Sequence, residues 1–159
     1  MKINLICVGK IKEKSLKDLI NEYIKRISAY ASVNIVEVQD ESIVEKPSLQ
    51  EINIAKKKEG EKILKNIKQG QYVIALDLVQ NQPDSLEFAK ILQKSFDNYG
   101  ANITFLIGGS YGLSDEVKER ANLRMGLSNM TFTHQMSRLI ILEQIYRAFK
   151  INNNEVYHK

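Results

Sequence analysis

The sequence of 159 residues has no tryptophan, two prolines, two histidines and a single cysteine. One cysteine excludes an intramolecular disulfide and a metal centre built from several thiolates. No apolar run approaches the roughly 20 residues that a membrane-spanning helix needs. The N-terminus lacks the cleavage site of a signal peptide. Together these absences predict a soluble cytoplasmic protein that binds neither membrane nor metal.

The composition is that of a globular protein, with 43% hydrophobic and 26% charged residues, and the length suits one domain over residues 1–159. The formal net charge of +4 is unevenly distributed. Residues 118–159 carry seven Lys/Arg and three Asp/Glu, whereas the preceding residues carry sixteen of each. The basic C-terminal part is a weak indication of an acidic partner such as RNA.

Apolar runs of strand length alternate with segments of helical spacing, which predicts an α/β fold with a parallel sheet. The lysine-rich AKKKEGEK is interpreted as the solvated face of a helix, because glutamates interrupt it. Asp84 and Glu87 form a predicted capping box. The predicted strands are 3–8, 33–38, 72–76, 103–107 and a short 123–127, and the longer helices are 15–30, 49–67, 84–98 and 133–151.

The last helix, 133–151, has apolar residues on more than one face. Such a helix is buried in a core or against a partner, and a homodimer is the simplest way to supply that partner. The polar tail 152–159 has no periodicity and is expected to lie outside the core. Cys7 lies within an apolar run and is interpreted as a small core residue.

The stretch ITFLIGGSYGLSDEV, residues 103–117, predicts a strand, a tight turn and a helix that begins at Ser114. The turn is not a P-loop, because the only Gly-Lys pair, Gly9-Lys10, is followed by Ile11. It also reads GGxxG rather than the GxGxxG of dinucleotide-binding proteins. The glycines either serve the turn alone or line a ligand pocket where this strand end meets those at Leu76 and Gly126.

Four stretches resemble the ribosomal large subunit RNA methyltransferase H family, the smallest SPOUT (trefoil-knot) methyltransferases. They are ALDLVQNQPDSLEFA, ITFLIGGSYGLSDEV, LSNMTFTHQMSRLIILEQIYRAFKI and the terminal YHK, within a resemblance that covers residues 1–159. The resemblance implies a single-domain parallel sheet flanked by helices, with a C-terminal trefoil knot. It further implies a homodimer that uses S-adenosyl-L-methionine to methylate N3 of a pseudouridine of 23S rRNA in assembled ribosomes.

The same resemblance assigns roles to individual residues. The cofactor is expected to contact Leu76, Gly108, Leu127, Ser128, Asn129, Met130, Thr131 and Phe132. His158 is the candidate general base, since a neutral imidazole accepts protons near pH 7, and Tyr157 and Lys159 lie on the substrate side. Arg147 is the fourth catalytic candidate beside Tyr157, His158 and Lys159. Arg147 and Arg138 lie on the last helix and could contact RNA phosphate or orient the target base, although a helix pair of Arg147 with Glu143 is an equal alternative.

His134 is interpreted as a first-turn or interface residue of the last helix, and Asp77 as the cap of a turn. Two other functions remain open. One is a non-catalytic ribosome- or RNA-binding α/β module, supported by the basic C-terminal part. The other is an α/β enzyme with a phosphate-bearing cofactor, which the failed nucleotide motifs disfavour.

Overall fold

The computed structural model describes residues 1–159, in which five strands alternate with five helices. Each predicted boundary of the four long strands lies within one residue of the observed one, whereas the fifth strand ends at Met125 instead of 127. In chain order the elements are β1 (Lys2–Val8), α1 (Lys14–Ile27), β2 (Ser32–Val38), α2 (Leu49–Lys65), β3 (Tyr72–Leu76), α3 (Ser85–Tyr99), β4 (Asn102–Ile107), α4 (Asp115–Arg120), β5 (Leu123–Met125) and α5 (His134–Asn152).

The strands form one parallel sheet in the order β2-β1-β4-β3-β5. β1 lies between β2 and β4, with Lys2 opposite both Ser32 and Asn102. Six of the seven residues of β1 are buried, because helices cover both faces of the sheet. The predicted α/β fold with a parallel sheet flanked by helices is confirmed. All five strands end at the same edge, which we call the carboxyl edge.

Each face of the sheet has its own apolar core, because successive side chains of a strand point to opposite faces. Leu5 packs with residues of α1, α3 and α5 on one face. Its neighbour Ile6 packs with residues of α2 and α4 on the other. None of these helices is both long enough and apolar enough to cross a bilayer.

Side-chain caps explain where most helices begin. Asp84 accepts a hydrogen bond from the backbone N–H of Glu87 while the Glu87 side chain accepts from that of Asp84, which confirms the predicted capping box. Ser114 caps α4 as predicted. α1 ends three residues early, at Ile27, where the chain tightens: the N–H groups of Ser28 and Tyr30 donate three residues back, to the carbonyls of Lys25 and Ile27. Tyr30 instead stacks on Phe149, with ring centroids 5.2 Å apart.

The tail turns back after α5 through a left-handed residue, Asn154, whose φ is 54°. The N–H of Asn154 donates to the carbonyl of Ile151 and that of Glu155 to the carbonyl of Lys150, the pattern of a Schellman motif. Most of the tail is exposed, as predicted, but Tyr157 is half-buried and its ring centroid lies 4.9 Å from that of Tyr146. The tail therefore packs along its own helix.

A glycine allows α2 to approach α4 closely. A Cβ atom at Gly60 would lie 2.2 Å from Oγ of Ser114 and 3.2 Å from a methyl of Val117. No side chain fits there unless the cap of α4 moves. The glycine of AKKKEGEK is thus a packing residue on the buried side of α2.

We expect Gly60→Ala to lower the free energy of unfolding. Overpacking costs about 1 to 3 kcal/mol, which exceeds the ~1 kcal/mol that alanine contributes as a better helix former. Urea unfolding of G60A measures this in two backgrounds, wild type and Ser114→Ala. In the S114A background the loss should be much smaller, because Oγ of Ser114 is the closest obstacle. An equal loss in both backgrounds would show that the contact with Ser114 is not the cause.

Candidate active site

A cavity of about 1060 Å³ opens at the carboxyl edge of the sheet. Its walls come from the segments that follow β1, β3, β4 and β5, together with the first turn of α5. This is where parallel α/β sheets place their ligand sites, and the volume suits a ligand larger than a single sugar or amino acid. The prediction that the strand ends at 76, 107 and 126 converge on one pocket is confirmed.

The glycine turn after β4 forms one wall of the cavity. A Cβ atom at Gly108 would lie 2.6 Å from the carbonyl carbon of Gly112, so the turn closes only without a side chain there. The N–H of Gly112 donates to the carbonyl of Gly109 over 3.0 Å, and Gly112 has a φ of 85°. All three glycines line the cavity. The glycines therefore fill both of the roles that the sequence offered as alternatives: they allow the tight turn and they line the pocket.

Glu59 of α2 supports this turn from the opposite face of the sheet. The side chain is 8% exposed, and its Oε1 accepts a hydrogen bond of 3.0 Å from the N–H of Glu41. A Cβ atom at Gly109 would lie 3.0 Å from Oε2 of Glu59. Burial raises the pKa of this carboxyl above its ordinary value. Helix α2 thereby limits how far the glycine turn can move.

The loop after β5 is fastened to the loop after β3. The N–H of Gly126 donates to the carbonyl of Asn81 over 2.8 Å, and Nε2 of Gln82 donates to Oδ1 of Asn129 over 2.7 Å. Within the later loop, Oγ of Ser128 accepts from the N–H of Met130. The two loops consequently form one continuous wall beside the glycine turn.

Seven of the eight residues predicted to contact the cofactor line this cavity. Asn129 is the exception, because its side chain turns to Gln82 and braces the loop instead. The lining residues are Leu76, Gly108, Leu127, Ser128, Met130, Thr131 and Phe132.

Asp77 follows β3 and lines the cavity with both carboxylate oxygens engaged. Its Oδ1 accepts from the N–H of Leu78, as expected for a turn cap, and its Oδ2 lies 2.7 Å from Nη2 of Arg124 and 3.6 Å from Nζ of Lys118. Burial acts to raise the pKa of Asp77, but the hydrogen bond from Arg124 and the charge of Lys118 outweigh it and lower the pKa. Lys118 is therefore not free to hold a phosphate.

His134 begins α5 and lines the cavity, a placement that the first-turn interpretation did not include. Burial, reinforced by the positive charge of Arg138, lowers the pKa of His134, so the imidazole is neutral at pH 7. The expectation that Arg138 contacts RNA is wrong, because Arg138 is fully buried. Its Nη1 donates to Glu37 over 2.6 Å and its Nη2 to the carbonyl of Gly9 over 2.9 Å.

Three of the four predicted catalytic residues meet at the other end of α5. Arg147 pairs with Glu143 over 2.6 Å, its Nη1 lies 3.3 Å from Nδ1 of His158, and its guanidinium lies 4.8 Å from the centroid of the Tyr157 ring. Lys159 is exposed beyond them. The last cavity residue on α5 is Leu139, and the eight residues to Arg147 correspond to about 12 Å of helix. Within one chain, this group does not face the cavity.

No group of three or more His, Cys, Asp or Glu side chains in the structure is arranged to hold a metal ion. Cys7 is fully buried, and burial raises the pKa of its thiol to about 12. The thiol is thus a core group, as the sequence predicted.

Comparisons with known proteins identify what this chain is similar to. A family model described as "Predicted SPOUT methyltransferase" matches residues 1–158. Proteins named "Ribosomal RNA large subunit methyltransferase H" are 50% identical in Clostridium acetobutylicum and 51% identical in Clostridium novyi, each over the full length of both chains. The solved structure of a "probable methylase family protein" from Haemophilus influenzae matches with a TM-score of 0.50 at 14% identity, over 96% of this chain and 66% of that one. This last likeness concerns the fold alone.

We expect Asp77→Asn to reduce the stability gained between acid and neutral pH. Because the pKa of Asp77 is lower in the folded than in the unfolded chain, its stabilisation is complete above pH 3.8, the ordinary value, and is lost as pH falls through the folded-state pKa. At pH 7 the free energy of unfolding of D77N should be lower than that of wild type by about 1 kcal/mol or less, since solvent screens the half-exposed Arg124. Urea unfolding from pH 2.5 to 7 measures it. Arg124→Gln should reproduce the effect, and an unchanged acid slope in both variants would contradict it.

Proposed function

The chain belongs to the SPOUT methyltransferase family and shares 50% sequence identity with a ribosomal RNA large subunit methyltransferase H. We therefore propose that it methylates N3 of a pseudouridine in 23S rRNA. The methyl donor is S-adenosyl-L-methionine, and the substrate is the assembled ribosome in the cytoplasm. The whole chain acts as a single domain. The observation that carries this proposal is the cavity at the carboxyl edge, which seven of the eight expected donor contacts line.

The chemistry of the cavity suits this donor better than a nucleotide polyphosphate. Leu76, Leu127 and Phe132 offer apolar walls, and the loop backbone offers donors and acceptors for a purine. The lining includes two carboxylates, Glu13 and Asp77, while its one lysine is already paired. A polyphosphate would meet no free cation there, whereas the donor carries a positive sulfonium.

The acceptor side of the site requires a second copy of the chain. Tyr157, His158 and Arg147 lie away from the cavity of their own chain, so a homodimer that brings the partner's tail to the cavity would complete the site. Exposed apolar side chains around the cavity mouth support such an interface. They are Leu19, Met130, Phe132 and Met136, of which Met130 is 71% exposed.

In this site S-adenosyl-L-methionine supplies a methyl group that its sulfonium already activates. The protein must align the acceptor nitrogen and remove its proton. His158 is the proposed base at N3, and Tyr157 and Lys159 hold the target nucleotide. Nη1 of Arg147 lies 3.3 Å from Nδ1 of His158 and can only donate, so Nδ1 is the unprotonated nitrogen of the neutral ring. Arg147 must therefore turn away before Nδ1 accepts the proton of N3. Arg147 also pairs with Glu143, one of the two roles that the sequence left open, and its contact with RNA stays a prediction.

We also propose that the C-terminal segment forms the trefoil knot that the resemblance implies. What supports it is that the loop after β5, which leads into α5, lies against the earlier loop after β3 and is hydrogen-bonded to it. The alternative of a non-catalytic RNA-binding module rests on charge alone, and the match to the SPOUT methyltransferase family favours the enzyme. A cavity of this size, lined as described, favours the enzyme.

Isothermal titration should detect binding of S-adenosyl-L-methionine but not of ATP or NAD. Gly108→Ala should lower the affinity for S-adenosyl-L-methionine about tenfold or more, because the added methyl displaces the turn. A loss of only ~1.4 kcal/mol in binding free energy gives a tenfold lower affinity. Gly70→Ala is the control for a glycine substitution outside the cavity, since a Cβ atom at Gly70 meets nothing within 4 Å; its φ of 78° strains alanine there, so any strain effect is at least as large as at Gly108. Equal donor affinity of folded G108A and wild type would contradict this use of the cavity.

Mixing two variants that are impaired in different parts of the site tests whether the tail acts on the partner's cavity. G108A has an intact tail, and His158→Ala has an intact cavity. If the tail acts across the dimer, an equimolar mixture should gain roughly one quarter of wild-type activity above the residual activity of the G108A homodimers, because half of the dimers are mixed and each has one whole site. The assay is methylation of unmodified ribosomes at a donor concentration that saturates wild type but not G108A.

No recovery would mean that each tail serves its own chain or that the dimer does not form. If H158A alone keeps wild-type single-turnover rates at every pH, His158 is not the base. His134→Asn then tests the other imidazole, which lines the cavity.

A further inference from the structure

The five loops at the carboxyl edge differ in charge. The loops 108–114 and 126–133 carry no charged residue, and the loop 77–84 carries two aspartates. The loop 39–48 carries three acids and one lysine. Only the segment 10–14, KIKEK, is basic, with Lys10, Lys12 and Lys14 against Glu13. A polyanion that approaches the cavity therefore meets positive charge mainly at this lysine segment.

The cations of the basic C-terminal part are mostly occupied within the chain. Arg138 is buried on Glu37, Arg147 pairs with Glu143 and Lys150 with Glu155. Lys118 and Arg124 share Asp77, and Arg120 donates to the carbonyl of Gln71. The excess charge that suggested RNA in the sequence is thus largely unavailable to a partner.

The lysine segment is held beside the cavity by hydrogen bonds that the backbone groups of residues 9, 11 and 12 form. The carbonyl of Gly9 accepts from the buried Arg138, and the N–H of Ile11 donates to Glu37 over 3.3 Å. The N–H of Lys12 lies 3.5 Å from Oε1 of Gln135, a residue that lines the cavity. Charges on an anchored segment lose less entropy when they bind than charges on a mobile loop.

The lysines lie on the rim while their neighbours line the cavity. Glu13, Ser15 and Leu16 belong to the lining, whereas Lys10, Lys12 and Lys14 are exposed and do not. Lys10 and Lys12 form no ion pair, and the pair of Lys14 with Asp18 is largely exposed to solvent, so it is weak. Three ammonium groups are therefore available next to the site.

From this placement we propose that the lysine segment 10–14 binds backbone phosphates of the substrate RNA as the target nucleotide enters the cavity. The inference rests on the proposed function and names the surface that receives the RNA flanking the target. The contacts are electrostatic and carry no sequence information. The segment thus contributes to affinity and orientation rather than to the choice of base.

The test compares two triple variants that remove the same charge. K10Q/K12Q/K14Q changes the lysine segment, and K56Q/K57Q/K58Q changes the lysines of α2, which packs on the opposite face of the sheet from α1 and α5. Binding to unmodified ribosomes and to a 23S rRNA fragment is measured from 50 to 300 mM salt. Three lost phosphate contacts should reduce the slope of log affinity against log salt by about 2 to 3. The α2 variant should keep the wild-type slope, and both should keep the wild-type affinity for S-adenosyl-L-methionine.

Each outcome decides the inference. An unchanged slope in the lysine-segment variant, or an equal decrease in both variants, overturns it, and so does a loss of donor affinity, because the cavity itself would then be altered. Weaker binding to vesicles of anionic phospholipid with unchanged RNA binding would assign the segment to a membrane instead. If the triple variant does not fold, K10Q and K12Q alone should each reduce the slope by about 0.7 to 0.9. A wild-type protein that methylates no ribosomal RNA would refute the proposed function, independently of the two variants.

Discussion

The ion pair between the fully buried Arg138 and the partly exposed Glu37 joins three segments, two of which belong to the walls of the cavity. Arg138 belongs to the first turns of α5, Glu37 to the end of β2, and the guanidinium also donates to the carbonyl of Gly9 after β1. Removing Glu37 leaves the guanidinium of Arg138 buried without its counter-charge. The cost is at most the about 3 to 5 kcal/mol of a fully buried pair, because a third of the Glu37 side chain is exposed. Nε of Arg138 has no hydrogen-bond partner, so the pair is not ideal for stability. We interpret its role as fixing position: α5 can begin in only one place relative to the sheet.

The two sides of the site differ in rigidity for reasons visible in the packing. The proposed donor side consists of loops fastened to each other, and a glycine turn supported by Glu59 and closed without side chains. The proposed acceptor side consists of the exposed Leu19 and Met136, the lysine segment and a tail that packs along its own helix. A preformed donor pocket beside an incomplete acceptor surface suits an enzyme whose large substrate supplies much of its own shape.

Much of the fold followed from local patterns, because strand and helix periodicities and the caps at Asp84 and Ser114 depend on neighbouring residues. The convergence of strand ends was predictable for the same reason, since a parallel sheet places them at one edge. The burial of Arg138 could not be predicted from local patterns, because its partner Glu37 lies 101 residues earlier in the chain. The position of His134 in the cavity wall and the orientation of the Asn129 side chain toward Gln82 likewise depend on contacts between distant segments. The tail residues were identified by resemblance, and their periodicity gave no sign that Tyr157 packs on Tyr146.

The position of β1 in the sheet has a consequence for synthesis of the chain. β1 emerges first from the ribosome, but one of its two neighbours, β4, ends at Ile107. At about 5 to 20 residues per second, the apolar strand waits several seconds or more with one edge unpaired. Until then the segment Ile3–Val8, apolar except for Asn4, has open hydrogen-bonding groups along one edge, a common origin of misassembly. Chaperone dependence of the nascent chain is therefore expected to end only after β4 has been made.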